Sequence, residues 1–311
     1  MKGFNRMNTV LLGYIFAFLS SATSTIYVLP KKISGQKPVS YAMLMGAGFF
    51  IASSAGFAVY KTVFKIEESL LDPELLYACL GGILYAAASV SFLSAIDRIG
   101  LAKATQWKSL QGPLATLMML LLLSEFTEVR IIFIVLAVLF LLTAATLFTV
   151  KETHNNRVDR RGVLYGLSAA FLFGVFAVIQ KHLTNKGLLF SQHIYMSLFI
   201  FLTTGTYLLI KNKMKKKPPG EGPLIHKTPK DIMLPVTGGM LYYGTAYFST
   251  LAYNYIPGSI AFMINQLSAV WLFLLGVFIF REISFKRHWL RLITGLLFSL
   301  MGISMLVLAR G

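Results

Sequence analysis

The sequence of 311 residues has few of the charged groups that keep a protein soluble in water. Only 13% of its residues are charged and only 12 are acidic, whereas 56% are hydrophobic. This composition leaves too little polar surface to cover soluble domains of that total length. Apolar runs such as residues 131–150, which contain no charge, match the ~20 residues that cross ~30 Å of hydrocarbon. The sequence therefore predicts an integral membrane protein.

Several functional classes lack the residues that they need. Cys79 is the only cysteine, which excludes an intrachain disulfide. There is no GxxxxGK[ST] phosphate loop, no nucleophile elbow and no metal-spaced set of His and Cys, so neither an ATP-driven pump nor an enzyme is expected, and no cofactor or metal. The net charge of +17 comes from short segments between apolar runs. That distribution indicates contact with the anionic lipids of a bilayer and no nucleic-acid partner.

Apolar runs separated by Lys, Arg, Pro and Gly divide the chain into ten predicted transmembrane helices. Helices are expected rather than barrel strands because the runs are long and continuous instead of alternating. The polar connector at 151–161 separates five helices from five, so we expect one repeat over 1–150 and another over 162–311. The predicted helices span residues 10–29, 39–60, 75–96, 101–123, 131–150, 162–181, 190–210, 232–254, 259–280 and 289–309.

The two halves resemble each other in sequence. Residues 238–284 align without a gap on residues 81–127, 157 positions earlier, and GGMLY then meets GGILY. The first helices agree at an offset of 153, where VLYG meets VLLG. Because five is an odd number of crossings, a second copy enters the membrane from the opposite side. The predicted fold class is an all-α integral membrane protein with ten transmembrane helices in two inverted five-helix repeats.

The distribution of basic residues agrees with an inversion, since Lys and Arg collect in cytoplasmic loops. The connector 61–74 has two lysines against four acids, and its counterpart 211–231 has seven lysines against two. The odd-numbered connectors together hold 20 basic residues and the face with the termini holds 8, with Lys108 counted as buried. We expect a multi-pass protein of the cell membrane with these connectors in the cytoplasm and both termini outside.

Two inverted halves are the architecture of secondary transporters, which open a central site to each side in turn. The segment 100–126, GLAKATQWKSLQGPLATLMMLLLLSEF, and its partner 258–306 resemble the helix hairpins of the drug/metabolite transporter superfamily, of the EamA type. The ending YVLPKK at 27–32 resembles the glucose/ribose porter and rhamnose permease branch. This resemblance implies ten spans and the uptake of a sugar, often with a proton.

Polar residues inside the spans are candidates for a solute site, because buried polar groups are costly unless they are satisfied. Amides can exchange hydrogen bonds with the hydroxyls of a polyol, and Trp or Tyr can stack on its apolar ring face. The first helix adds the hydroxyls of SSATST at 20–25, which can also bond to their own helix. The predicted substrate-binding residues are Trp107, Gln111, Asn265 and Gln266, followed by Tyr85, Tyr242, Trp271, Lys108, Ser21 and Ser24.

Lys108 stands out among these residues. It lies ~10 Å into its helix at ~1.5 Å per residue, where a bare ammonium is costly. One interpretation is that it snorkels to the interface or pairs with an acid such as Asp97. The other is a fixed positive charge in the cavity, which favours an acidic or phosphorylated metabolite over a neutral sugar.

A residue for proton coupling is not evident, because no Asp or Glu lies at mid-depth in a predicted span. Glu125 and Glu282 end their helices near Arg130 and Arg281 and are expected to form ion pairs. Uniport and exchange therefore stay open. All five histidines are expected to be solvated at helix ends or in loops: His154, His182, His193, His226 and His288.

The leading hypothesis is a carrier that moves a sugar or a similar small polar solute by alternating access. One alternative is an exporter of amino acids or other metabolites, the common role of the wider superfamily. An alternative of another class is a channel or a membrane scaffold that transports nothing.

Overall fold

A computed structural model describes residues 2–65, 67–123, 130–148, 159–214, 228–282 and 285–308. The regular elements in these ranges are all helices, and seven helical segments are long and apolar enough to cross a membrane. The prediction of an all-α membrane protein is confirmed. Ten crossings stay a prediction, because three predicted spans are not among the seven: the fourth is divided, the fifth is a shorter apolar helix over Ile132–Phe148, and the helix of the eighth does not qualify.

Every predicted span overlaps at least one helix. The first span continues past Ile26 as a short second helix, and the fourth and ninth spans are each interrupted. The helices are α1 (Lys2–Ile26), α2 (Leu29–Ile33), α3 (Pro38–Phe64), α4 (Leu75–Ile99), α5 (Leu101–Lys108), α6 (Gln111–Leu122), α7 (Ile131–Phe148), α8 (Arg160–Asn185), α9 (Ser191–Met214), α10 (Pro229–Tyr255), α11 (Gly258–Asn265), α12 (Leu267–Leu274) with a π-helix (Leu275–Ile279), and α13 (Phe285–Leu308).

The two interruptions lie at equivalent places in the halves. Pro113 lacks an N–H, and its ring crowds the carbonyl four residues earlier, at Ser109, where α5 ends. That carbonyl accepts instead from the Gly112 N–H at 3.0 Å. The second interruption is at Gln266, 157 residues after Ser109, and no proline follows it to explain the break.

Helices that the predicted repeat makes equivalent have matching neighbours. In the first half α4 packs against α8 and α9, and in the second half α10 packs against α1 and α3. The remaining large contacts join equivalent helices directly, α3 with α9 and α7 with α13. The core is therefore built from contacts between the halves as much as within them.

The repeated glycine pair lies where helices touch through their backbones. A Cβ added to Gly82 would meet the carbonyl oxygen of Met196 in α9 at 2.5 Å. A Cβ added to Gly239 would overlap the carbonyl of Met45 in α3. Small residues at such positions let two helices approach closely. The duplicated letters GG thus specify the same kind of helix contact twice.

Candidate functional site

A polar cavity lies between the halves, bounded on one side by α1, α4 and the α5–α6 break and on the other by α8, α10 and the α11–α12 break. Its interior leaves about 50 Å³ for the centres of water molecules, more than the ~10–15 Å³ that one water needs. The lining side chains that carry polar atoms are Ser24, Tyr27, Tyr85, Lys108, Gln111, Gln180, Tyr242, Thr245, Ser249, Tyr253, Asn265 and Ser268. The cavity is therefore suited to a hydrated, polar solute.

The structure brings six of the ten predicted site residues together around this cavity. They come from both halves and from six helices: Ser24, Tyr85, Lys108, Gln111, Tyr242 and Asn265. Their roles in binding stay predictions.

Two of the other four lie beside the cavity rather than on its wall. The sequence places Trp107 and Gln111 one turn apart on one helix face, but the chain breaks between them. Trp107 packs against a separate hydrophobic cluster of Leu110, Leu141 and Ala170. Gln266 is 1% exposed and holds the side chain of Gln111 from behind.

The last two predicted residues also lie off the cavity wall. Trp271 is 43% exposed, on an apolar outer groove between α1 and α12 that includes Phe18 and Phe278. Ser21 is fully buried inside α1, where its carbonyl accepts from the hydroxyls of Ser24 at 2.8 Å and Thr25 at 3.0 Å. Helical periodicity and polarity select these residues from the sequence, but helix packing decides whether their side chains face the cavity.

Hydroxyl groups join α1 to α10 along one edge of the cavity. Ser20 Oγ lies 2.6 Å from Ser249 Oγ and donates to the Thr245 carbonyl at 3.1 Å. The Thr245 hydroxyl donates to Thr23 Oγ1 at 3.1 Å. Ser20 and Thr23 of the SSATST segment thus contribute to the contact between the halves. The hydrogen bond that Thr25 donates stays within α1.

Aromatic rings form another wall. Tyr85 and Tyr242, which are 157 residues apart in the sequence, have ring centroids 4.8 Å apart, and Tyr27 lies edge-on to Tyr242 at 5.0 Å. Phe173 and Phe176 of α8 meet Tyr85 at 5.2 and 4.9 Å. This wall offers flat apolar faces beside the amides, the combination expected for a polyol.

Lys108 lies among phenyl rings and not beside a carboxylate. Its Nζ is 4.6 Å from the ring centroid of Phe173 and 4.7 Å from that of Phe92. Asp97, the acid suggested as its partner, instead pairs with Lys31 at 2.9 Å. Within the described ranges Lys108 makes no hydrogen bond and no ion pair. The expected pairing with Asp97 is therefore wrong.

A buried polar chain that the sequence reasoning missed extends from the cavity into α9. Gln180, on the cavity wall, donates to Thr250 Oγ1 at 3.2 Å, and the same hydroxyl lies 3.0 Å from His193 Nε2. His193 has no exposed surface, so the expectation that it is solvated is wrong. Its position at the start of a helix suggested a loop, but α3 and α10 cover it with Phe49 and Tyr243. Gln180 could have been found as an amide within a span.

The remaining titratable candidates are structural or lie outside the described ranges. His182 Nε2 is 3.0 Å from Glu74 Oε2. Glu282 accepts from the N–H groups of Leu101 at 2.9 Å and Ala102 at 2.8 Å, which caps α5, and it pairs with Lys32. Glu125, His154 and His226 fall outside the described residues.

Outside the membrane, charge pairs shift two carboxyl groups. Lys186, 2.8 Å from Glu74, and His182 lower the pKa of Glu74 below its ordinary value. Arg98, 3.1 Å from Asp159, lowers the pKa of Asp159 in the same way. None of these residues lines the cavity, and both pairs connect helix ends.

Comparisons with known proteins identify a family and a similar fold. Residues 22–309 match the profile of the family described as "Sugar transport protein". No curated protein matches the chain. A solved chain titled "Crystal structure of protein" superposes with a TM-score of 0.64 at 15% identity, over 98% of both chains. At that identity the likeness shows the fold alone.

Proposed function

Because the chain belongs to the sugar transport protein family, we propose that it is a secondary carrier that moves a sugar or a similar small polar solute by alternating access. The observation that carries the proposal is the polar cavity enclosed between the two halves. A solute held at that place can be exposed to either side of the membrane when the halves rock against each other.

The proposal includes two inverted five-helix repeats, residues 1–150 and 162–311, and ten crossings. Matching neighbours of equivalent helices support it, as do breaks 157 residues apart and a glycine contact that occurs in both halves. The drug/metabolite transporter resemblance rests on the same architecture. The excess of basic residues in the odd-numbered connectors supports a topology with both termini outside.

For recognition, we assign the amides of Gln111, Gln180 and Asn265 to the hydroxyls of the solute. An amide both donates and accepts, as a hydroxyl does, so these side chains can replace the water around a sugar. Tyr85 and Tyr242 would stack on the apolar ring face. All five residues line the cavity.

A proton-coupled cycle needs a titratable group that lines the cavity or is connected to it by hydrogen bonds. No Asp, Glu or His lies on the described lining. His193 is connected to the lining through Thr250 and Gln180, and we assign the coupling role to it. A pH gradient should then drive accumulation by the wild-type protein, and His193→Gln should remove that drive while leaving exchange between equal pH values.

Counterflow in proteoliposomes tests the carrier mechanism. Liposomes loaded with unlabelled sugar should take up labelled sugar faster and to a transient excess, because an occupied carrier returns faster than an empty one. Flux that neither saturates nor accelerates with sugar on the opposite side would identify a channel. Absence of flux for every sugar in a broad panel would favour the alternative of a membrane scaffold that transports nothing.

A further inference from the structure

We infer that the solute is an anionic sugar, with a carboxylate or phosphate group that pairs with Lys108. The inference rests on the proposed carrier function and narrows its substrate class. It is carried by the position of one ammonium group, which lines the cavity without a partner of opposite charge.

The surroundings of Lys108 leave its charge uncompensated in the unliganded protein. Its Nζ lies over the rings of Phe92 and Phe173 at 4.7 and 4.6 Å. Aromatic faces attract a cation, but they accept no ordinary hydrogen bond and return less than the lost hydration costs. An ammonium has three N–H donors to satisfy. A bound anion would satisfy both the charge and the donors.

Three acids of the described chain are committed to other partners. Asp97 pairs with Lys31, and Glu282 caps α5 and pairs with Lys32. The buried carboxylate of Glu68 accepts from the backbone N–H groups of residues 189–191 at the start of α9. The described cavity lining contains no Asp or Glu, so Lys108 gives it a net positive charge.

The charge also distinguishes the two halves of the site. Lys108 corresponds in the repeat to Asn265, 157 residues later, and both line the cavity. One half therefore presents an ammonium where the other presents an amide. A solute with an acidic group at one end and hydroxyls at the other fits this asymmetry, since Gln111 and Asn265 remain for the hydroxyls. A neutral sugar leaves the ammonium unpaired.

Equilibrium binding to the purified full chain in detergent tests the inference, with glucose, glucuronate and glucose 6-phosphate as probes. We expect at least one of the two acids to bind about tenfold or more tightly than glucose, because hydrogen bonds between charged partners are stronger than neutral ones. The acid that binds tells whether the group is a carboxylate or a phosphate. If both acids bind the wild-type protein no more tightly than glucose does, that result alone overturns the inference.

Variants then assign the effect to Lys108. Lys108→Gln should lower the affinity for the acid relative to the affinity for glucose about tenfold or more, whereas Lys108→Arg should keep the preference. Lys186→Gln is the matched control, because it removes a positive charge that pairs with Glu74 away from the cavity. A preference that survives in Lys108→Gln would contradict the assignment, and so would its loss in Lys186→Gln.

Counterflow with the same three sugars separates the inference from the carrier proposal. Exchange of glucose without exchange of either acid would refute the anionic substrate and leave the carrier intact. Binding of an acid that depends on Lys108, without counterflow of any sugar, would leave the anion site and refute the carrier.

Discussion

Gln111 donates from Nε2 to Oε1 of Gln266 at 3.3 Å, so a buried side-chain hydrogen bond joins the two helix breaks. Gln266 in turn donates to the carbonyl of Phe262 at 3.3 Å, one turn earlier. This buried chain orients the Gln111 amide on the cavity wall. Binding energy in such a site depends on holding polar groups in place before the solute arrives.

Gln111→Ala and Asn265→Ala should each lower sugar uptake, measured as kcat/KM in proteoliposomes, by about tenfold or more. Each removes a hydrogen-bonding group from the cavity wall, and such a loss typically costs ~1–3 kcal/mol. Protein levels in the membrane should be unchanged. Trp271→Phe is the control, because Trp271 lies on the outer groove and should leave uptake as in the wild type. Normal uptake by both alanine variants would remove these helices from the site.

The glycine contacts predict a pair of destabilising substitutions with an internal control. Gly82→Ala and Gly239→Ala should each lower the thermal stability of the purified protein by about 1–3 kcal/mol, because the added methyl meets the backbone of a facing helix. Gly244→Ala, also in α10, meets only a methyl group of Thr23 at 3.7 Å and should be neutral or stabilising. If all three variants melt alike, the contacts do not limit the approach of the helices.

The helical class followed from apolar runs, because lipid leaves a spanning segment little choice but a helix. The break after Lys108 could have been read from Pro113, but the break at Gln266, 157 residues after Ser109, has no such residue near it. Polarity inside spans selected Gln111 and Asn265. It could not tell them from Gln266, since all three are amides and only rotation of each helix segment decides which one faces the cavity.

The cap that Glu282 forms on α5 predicts coupling between the segment after the ninth predicted span and the start of the fourth predicted span. Glu282→Ala should lower thermal stability by about 1–2 kcal/mol, because two N–H groups at a helix start lose their acceptor and Lys32 loses its partner. Glu67→Ala changes an exposed glutamate and should have little effect. A Glu282→Ala protein that melts at the wild-type temperature would show that the cap does not hold α5.

Acid pH should weaken the contact between the start of α4 and the end of α8. Because Lys186 and His182 lower the pKa of Glu74 below its ordinary value of 4.5, the ionised carboxylate stabilises the folded state. That contribution is present above the ordinary pKa and is lost as pH falls through the folded one. The difference in melting temperature between wild type and Glu74→Gln should therefore close in acid. A difference that is constant with pH would mean that the charge of Glu74 plays no part.

Two lysines of similar chemistry are expected to respond to substitution in opposite directions. Lys31 is buried with partners, since its Nζ bonds to the Gln36 carbonyl at 3.0 Å and to Asp97 at 2.9 Å. Lys31→Met removes these bonds and should lower the melting temperature. Lys108→Met removes an unpaired charge from the cavity and should raise the melting temperature of the ligand-free protein by about 2–4 °C, since an apolar chain carries no hydration to lose.

A bound anionic sugar should reduce or reverse the stability advantage of Lys108→Met over the wild type. With a saturating anionic sugar the wild-type protein gains stability by binding, and Lys108→Met gains much less. The two melting temperatures should therefore approach or cross as the sugar concentration rises. If Lys108→Met destabilises the ligand-free protein as much as Lys31→Met does, the ammonium is already satisfied by the two phenyl rings, and its charge is then part of the packing of α5 against α4 and α8 instead of a group held for the solute.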